Sequence, residues 1–600
     1  MDYNEATVYQ NKEKGMTIME GRNEFLKFSE IISKDLDLDR MMKDIEFFSH
    51  LNRYTGSKEG EQAAGYIADR MDSLGIPVSR EQYHIYRSLP GTASVHIDAP
   101  SQAADYPLTP YVYSGCAKNL KGELVFDEMS LGSCTQKEMK DRMRAFSGKF
   151  VLTYESSFSF GCAAKAAGAL GVLTIWRANL AHHGTLGGVW GSPEPEDLNY
   201  HYPRIPFAEI LKEDGEALIR LCRESEEPVR ICLNIEMDDG ILPSMMPVAR
   251  LEGKSRKFVL VSGHYDSWYE GVTDNGVANA AMMEMARVFK EHQSELDRSV
   301  VFAWWSGHSD GRYSGSAWYY DHHWQELQED CVAHINMDIC GCKGSDLVGF
   351  NTSMLEGDKF CRDFLKEFND EEPIPPVPMA RFADQTFWGA DIPFAIMPKF
   401  GLKSKQSFAW WHTKEDSIDK IDPAIVMRDA KVVAKLAAIF SNIPQLPAGF
   451  AEFADKMERR LLWMRNGLYE DDDFELAQVF SAMEQFKSRI PAFEKMLTEK
   501  AQKGLNTDED IISVSGELVR IVYTASSPYH QDPAVEEGMF PALSAACGLT
   551  PENTDAAYYL AVKTRFVRQR NRLVGQLKKI CEDCDNRLYR WNAYSERTAG

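Results

Sequence analysis

The chain has 600 residues, of which 44% are hydrophobic and 26% are charged, and its formal net charge is −23. A single hydrophobic core stops growing at roughly 250–300 residues, so this length predicts two or three domains, and the composition is that of a folded globular protein. The acidic balance disfavours nucleic acids and anionic membranes as partners, because those surfaces bind clustered Lys and Arg.

The opening segment, MDYNEATVYQNKEKGM, is polar and carries acidic residues. A secretory signal peptide instead has a basic start and an apolar run. No uninterrupted apolar stretch reaches the roughly 18 residues that a membrane-spanning helix needs. We therefore expect a cytoplasmic protein without a transmembrane helix.

The first predicted elements are two helices within residues 41–79, with a turn at Gly56 and a helix end at Gly75. An extended segment, REQYHIYRSL, follows them. From about 112 to 235, strands and helices are predicted in GKFVLTYE, CAAKAAGALGVLTIW and RIPFAEILKEDGEALIRL. This order indicates a compact α/β unit inserted into the main chain.

The next segments predict a parallel βαβ unit. KFVLVSGHYDSW and SVVFAWWSGH are apolar, β-rich runs that end in polar residues, and VANAAMMEMARVFKEH between them has a helical pattern. In open α/β sheets, ligand sites form beyond the carboxyl ends of the strands, so these polar residues stand where chemistry is expected. From Ala451 to Trp591 the pattern is helical, which predicts a C-terminal helical domain.

Four residues are candidates for metal ligands at that sheet edge. His264 ends one predicted strand, Asp274 precedes the next helix, Asp338 ends CVAHINMD, and His412 lies on a loop in FAWWHTKEDSIDKID. His and Asp are ligand types that zinc and similar divalent ions accept. Each residue alone would more often be a cap or turn former, but their joint arrangement favours a metal site.

With these residues in place, the chain resembles the zinc aminopeptidases and glutamate carboxypeptidase-like enzymes, a family with cocatalytic metal sites. The resemblance lies in blocks that follow the family's order: HLNRYTGSKEGEQAAGYI, GHYDSW, TDNGVANAAMMEMAR, GRYSGS, INMD and WWHTKEDSIDKID. The inserted unit resembles a protease-associated domain through GKFVLTYESSFSFGCAAKAAGALGVLTI and IPFAEILKEDG.

The resemblance implies an α/β fold in which a mixed, mostly parallel sheet is flanked by helices, as in zinc exopeptidases. It implies a metallopeptidase-like catalytic domain at 1–110 and 236–445, and a protease-associated-like inserted domain at 111–235. Residues 446–600 would form a C-terminal helical domain in the position of a dimerisation domain, so a homodimer is expected.

The resemblance also implies one or two zinc ions, although other divalent ions fit the same ligands. His264 and Asp338 would hold one ion, His412 would help to hold a second, and Asp274 would bridge the two. A metal-activated water would then attack the amide carbonyl of a small or peptide-like substrate.

The chain departs from the family where two adjacent glutamates, a general base and a metal ligand, are expected. WWSGHSDGRYSGS offers His308, Ser309 and Asp310 there. Counting forward from the strand aligns the glutamates with His308 and Ser309. Counting back from Gly315 and Ser316 aligns them with Ser309 and Asp310. Both alignments lack a glutamate base.

Three residues are candidates for the missing base: His308 first, Asp310 second, and Glu270 third, since it lies between two predicted ligands. His308 and Asp310 are also candidate ligands for the second metal. An alternative interpretation is that GHSDG is only a turn.

Three functional hypotheses follow. The first is a metal-dependent hydrolase of amide or peptide-like bonds with an altered base or metal site. The second is a metal-assisted, non-hydrolytic enzyme of the lyase, hydratase or isomerase type. The third is a catalytically silent metal-binding or scaffold protein, which the retention of four ligand residues disfavours.

Four residues are candidates for substrate binding. Arg312 would anchor a substrate carboxylate, with a structural salt bridge as the alternative. Tyr313 and Trp411 belong to a set of aromatic residues, most of which would pack the core while a few line the pocket. Asp384 stands where relatives carry an Asp near the site.

Overall fold

The computed structural model of the chain describes residues 22–99, 102–131, 136–404, 406–469, 474–534 and 538–599. Within these ranges, the strands join into one 13-stranded sheet with helices on its faces and a helical C-terminal region. The expected class, a mixed α/β sheet flanked by helices, is confirmed.

The helices are numbered in chain order. They are α1 Arg22–Lys34, α2 Leu38–Phe48, α3 Lys58–Ser73, α4 Gln136–Ala145, α5 Phe158–Ala166, α6 Asp197–Tyr200, α7 Lys212–Glu224, α8 Val277–Glu291, α9 Ser314–Asp330, α10 Asp358–Leu365, α11 Pro423–Asn442, α12 Phe450–Asn466, α13 Ala477–Gln502, α14 Asp508–Tyr523, α15 Pro541–Ser544 and α16 Ala556–Ala599.

The strands are numbered in the same way. They are β1 Val78–Ala99, β2 Gln102–Pro110, β3 Ala117–Phe126, β4 Lys149–Thr153, β5 Gly171–Ile175, β6 Phe207–Ile210, β7 Arg230–Leu251, β8 Ser255–His264, β9 Arg298–Trp305, β10 Cys331–Asn336, β11 Leu347–Thr352, β12 Val377–Pro378 and β13 Phe394–Gly401.

The centre of the sheet is parallel. β8 lies between β9 and β10 and runs parallel to both, and β10 is parallel to β13. All residues of β9 and β10 are buried, because helices cover both faces of the sheet. The predicted βαβ unit is confirmed, with α8 connecting β8 to β9.

A long antiparallel pair, β1 with β7, connects this centre to the strands of the inserted region. One end of β7 pairs with β3, and its other end pairs with β9. β3, β4, β5 and β6 form a second parallel set, as the α/β pattern of that region predicts. Residues of this region also form an apolar cluster of their own, which includes Val95, Phe150, Leu173 and Ile231.

The two N-terminal helices are confirmed as α2 and α3. Gly56 forms the turn between them with a φ of 67°, a left-handed conformation that glycine adopts without steric cost. The helices from α12 onward pack into the same large apolar cluster as the central sheet. The domain boundaries and the protease-associated resemblance stay predictions. Among the described residues, no helix has both the length and the apolar character needed to span a membrane.

Candidate metal centre

The carboxyl ends of β9, β8 and β10 lie side by side at one edge of the sheet. His264 is the last residue of β8 and pairs in register with Trp305, the last residue of β9. His308 comes shortly after β9, and Asp338 comes shortly after β10. Parallel pairing therefore brings together three residues that are distant in sequence. Their exposed fractions are only 2%, 8% and 6% for His264, His308 and Asp338.

His264 is oriented by its own loop. Its Nδ1 lies 2.9 Å from the backbone carbonyl oxygen of Asp266 and donates to it, so Nε2 is the ring nitrogen that faces the neighbouring carboxylates. Nε2 lies 3.0 Å from Oδ1 of Asp274 and 3.3 Å from Oδ1 of Asp338. Burial disfavours a charged imidazole, but the bonds to Asp274 and Asp338 outweigh it and raise the pKa of His264 well above its ordinary range. The site therefore favours positive charge.

His308 is held by a second buried carboxylate. Its Nδ1 lies 2.8 Å from Oδ2 of Asp384, and the other oxygen of Asp384 accepts a hydrogen bond of 2.6 Å from Ser316. The backbone N–H of His308 donates to Asp266. The His308 ring stacks on the His264 ring, with centroids 3.8 Å apart and an interplanar angle of 10°. Asp384 is 1% exposed and is a partner of His308 here, so a substrate contact for it stays a prediction.

The donor atoms of His264, His308 and Asp338 all lie within 4.8 Å of one another. In the part of the chain that the structure describes, this is the one such group of three His, Cys, Asp or Glu residues. We call these residues the strand-end group. Two imidazoles and a carboxylate form a set of ligands that zinc accepts, and burial without a counter-charge would be costly for the carboxylates. The residues therefore fit a divalent cation.

Asp274 connects the strand-end group to His412. Its two carboxylate oxygens lie 3.0 Å from Nε2 of His264 and 3.3 Å from Nε2 of His412. These two contacts hold the pKa of Asp274 well below its ordinary value, although burial alone would raise it. Asp416 accepts hydrogen bonds from the backbone N–H groups of Thr273 and Asp274 and so fixes the loop that carries Asp274.

His412 is positioned by the inserted region. Its Nδ1 lies 2.8 Å from the carbonyl oxygen of His183, and the His183 N–H donates back to the His412 carbonyl at 3.2 Å. The His183 ring stacks on Trp268, with centroids 4.2 Å apart, and its Nε2 is 3.1 Å from the Tyr269 hydroxyl. Trp411 stacks on His412 at 3.8 Å, which puts the aromatic ring of this predicted wall residue beside the site.

A neighbouring histidine of the inserted region lies behind this contact. His182 binds the buried carboxyl of Glu209 through Nδ1 at 3.0 Å and stacks on Trp176 at 3.7 Å. Its ring centroid is 5.6 Å from that of His412. Burial raises the pKa of Glu209 to about 9, so this carboxyl is protonated at neutral pH. The wall beside His412 is thus built from neutral and aromatic groups.

The other two base candidates lie elsewhere in the same region. Asp310 is 2% exposed, and burial together with the nearby Asp266 raises its pKa to about 7. Glu270 is half-buried, and its backbone carbonyl accepts a hydrogen bond of 2.7 Å from Arg53. Neither residue belongs to the strand-end group. Their roles as bases stay predictions.

Arg312 and Tyr313 lie at the junction of three segments. The Arg312 guanidinium donates to the carbonyls of Gly187 at 3.2 Å and Ala534 at 3.4 Å, and to the Tyr313 hydroxyl at 3.1 Å. The Tyr313 ring is edge-on to His308, with centroids 5.1 Å apart. Arg312 thus links the inserted region to the C-terminal region, while the carboxylate anchor stays a prediction.

Sequence reasoning missed Asp266, Asp416 and His183. The first two lie inside the blocks GHYDSW and WWHTKEDSIDKID, so an acidic residue close to a candidate ligand was the available signal. No local signal marks His183, because its contact with His412 spans 229 residues of sequence.

Residues 248–437 match the sequence profile of Peptidase family M28. The chain is 25% identical over 399 residues to Aminopeptidase YwaD of Bacillus subtilis (strain 168), covering 65% of this chain and 81% of that protein. It is 23% identical over 344 residues to Leucine aminopeptidase 2 of Trichophyton equinum, covering 55% of this chain and 64% of that protein. The chain therefore spans just under two thirds of the latter's length.

Among solved structures, the chain is similar to BSAP, a zinc aminopeptidase from Bacillus subtilis, with a TM-score of 0.52 and 22% identity. The match covers 68% of this chain and 95% of that one, and it shows a shared fold. Residues 248–437, which match the family profile, contain the whole strand-end group, Asp274 and His412. Residues 248–437 therefore match peptidase family M28, and the chain is homologous to aminopeptidases and glutamate carboxypeptidase-like proteins.

Proposed function

We propose that the protein is a metal-dependent hydrolase of amide or peptide-like bonds in small substrates, with zinc as its metal. The observation that carries this proposal is the strand-end group, in which the donor atoms of buried His264, His308 and Asp338 lie within 4.8 Å of one another. The match to peptidase family M28 and the aminopeptidase relatives support the same chemistry. A zinc ion bound there would lower the pKa of a water molecule and polarise the scissile carbonyl.

The residues of the chain would supply orientation and exclude water. Asp266 and Asp384 fix the ring directions of His264 and His308, as partners of metal-binding histidines do in other proteins. Asp274 would stay in contact with both His264 and His412, because the backbone N–H groups of its loop donate to Asp416.

The burial of the site residues supports a small substrate or the end of a peptide as the molecule that is cleaved. The strand-end residues and Asp274 are at most 8% exposed, and the side chain of His412 is 14% exposed. Segments of the inserted region, including His183, pack directly against the site. An extended polypeptide would need more open access than these contacts leave.

The test is amine release from a panel of aminoacyl amides, N-acyl amino acids and dipeptides. The zinc-loaded protein should release a primary amine from at least one member, and Asp338→Asn should lower the rate by about 10²–10³. His322→Ala is a matched control, because His322 is exposed on α9 and its ring bonds to and stacks on Trp318, one helical turn earlier. Equal rates for Asp338→Asn and the control would remove the proposal.

The second candidate is a metal-assisted, non-hydrolytic reaction. It is favoured by one observation: the segment where the family places its glutamate pair offers His308, Ser309 and Asp310, and His308 is paired with a buried carboxylate. Mass spectrometry of the products separates the two candidates, since this one predicts a changed substrate with every amide bond intact.

A further inference from the structure

Three histidines of the site share one arrangement of their rings. Nδ1 of His264, His308 and His412 lies within 2.9 Å of a protein oxygen atom in every case. Nδ1 of each ring therefore donates to that oxygen, and Nε2 is the ring nitrogen that can ligate an ion. The Nε2 atoms of all three histidines can act as ligands, so the distances between these atoms decide which of them can share an ion.

Two of the three can share an ion. His264 and His308 stack in parallel and, with Asp338, keep their donor atoms within 4.8 Å of one another. The Asp384–His308 contact repeats the carboxylate–histidine pair that orients metal-binding imidazoles. His308 is thus oriented as a ligand within the segment where the resemblance expects the family's glutamate pair.

The other metal position of the family lacks a third donor. His412 contacts Asp274 at 3.3 Å, but within the described ranges it joins no group of three His, Cys, Asp or Glu donors. The residue after His308 is Ser309, whose neutral hydroxyl is not among the usual zinc ligands. A second ion would therefore have one imidazole and one shared carboxylate from the protein.

We infer that the site binds a single divalent ion through His264, His308 and Asp338, with Asp384 as the positioning residue for His308 and His412 outside the coordination shell. This inference rests on the proposed function only in that a metal binds. It assigns Nε2 of His308 to the ion instead of to proton transfer. It leaves Nε2 of His412 in contact with Asp274 and facing the substrate instead of the ion.

The first experiment needs no variant. Protein stripped with a chelator is reloaded with Zn²⁺, desalted and analysed by elemental mass spectrometry, and X-ray absorption of the zinc counts its imidazole ligands. We expect one zinc per chain with two imidazoles. Two zinc ions per chain with one imidazole each would overturn the inference.

Variants then assign the ligands. His308→Ala should weaken zinc binding by 100-fold or more, and Asp384→Asn by about 10–100-fold, as for other partners of metal-binding histidines. His412→Ala should keep one zinc with an affinity within threefold of the unmodified chain, as should the control His322→Ala. Loss of zinc in His412→Ala with full retention in folded His308→Ala would contradict the assignment.

The inference and the proposed function fail separately. One bound zinc with two imidazoles, but no amide cleaved, would sustain the inference and reject the hydrolase. Amide cleavage by a protein that binds two zinc ions would sustain the hydrolase and reject the inference of a single ion. Thermal melting of each variant shows whether lost binding reflects unfolding.

Discussion

The strand-end group and His412 face the same Asp274, yet the molecule positions them by different means. His264, His308 and Asp338 follow adjacent parallel strands, so backbone pairing in the sheet sets their spacing. His412 lies on a loop, and its ring is fixed by backbone contacts with His183 of the inserted region. The difference shows that one half of the site belongs to the core of the fold and the other half depends on a contact between distant segments.

The two halves also differ in their surroundings. In the strand-end half, each histidine contacts a buried carboxylate: Asp384 lies at Nδ1 of His308, and Asp338 lies at Nε2 of His264. The half around His412 has aromatic rings and neutral groups, such as Trp411, His182 and the protonated Glu209. Carboxylate–histidine contacts therefore characterise the strand-end half, and stacked aromatic rings characterise the half around His412.

The largest expected effect comes from breaking the strand-end half. His264→Ala removes an imidazole whose Nε2 contacts both Asp274 and Asp338. We expect zinc to fall below detection by elemental analysis and the amide-cleavage rate to fall by about 10³-fold. A folded variant that kept its zinc would show that His264 is not a ligand.

The next effect tests the protonated carboxyl in the half around His412. The unfolded chain ionises Glu209 near its ordinary pKa of 4.5, whereas the folded chain holds the proton up to about 9 because of burial. The folded state binds more protons between these values, so the contribution of Glu209 to stability is complete below about pH 4.5 and is lost as pH rises towards 9. Glu209→Gln should remove this decrease in stability with rising pH, because glutamine does not ionise.

Urea unfolding at pH 5, 7 and 9 measures this effect. The unfolding free energy of Glu209→Gln should exceed that of the unmodified chain by an amount that grows with pH, on the order of a few kcal/mol at most. A difference independent of pH would show that Glu209 is ionised in the folded protein.

A third prediction separates the two halves directly. His183→Ala removes the ring that stacks on Trp268 and binds Tyr269, and so loosens the segment that holds His412. We expect about tenfold lower activity, equivalent to about 1.4 kcal/mol, with the zinc content unchanged. His201→Ala, also in the inserted region but paired with Asp197, is the control. Loss of zinc in His183→Ala would mean that both halves hold the metal.

The smallest effect concerns Arg312, which links the inserted region to the C-terminal region. Arg312→Ala removes hydrogen bonds to the carbonyls of Gly187 and Ala534 and should lower the unfolding free energy by about 1–2 kcal/mol, with KM changed less than threefold. A tenfold rise in KM at unchanged stability would instead support the substrate-carboxylate anchor.

The helices α2, α3 and α8 and the strands β8 and β9 follow from sequence periodicity, because their apolar spacing matches the geometry of each element. The order of polar residues after the strands then places His264 and Asp338 at one sheet edge. Sequence reasoning also identified the segment around His308 as different from the family, because the sequence there lacks two adjacent glutamates. It could not choose between His308 and Asp310, because a shift of one residue in alignment exchanges them.

The sequence by itself therefore determined the fold class, the family resemblance and the set of candidate ligands, all of which depend on local patterns and on the order of short blocks. Only the tertiary structure decided that His308 joins His264 and Asp338 while Asp310 does not, and that Asp384 orients His308. The contact of His183 with His412 was also revealed only by the tertiary structure. Contacts between segments that lie far apart in sequence depend on how the folded elements pack, and no local pattern encodes that packing.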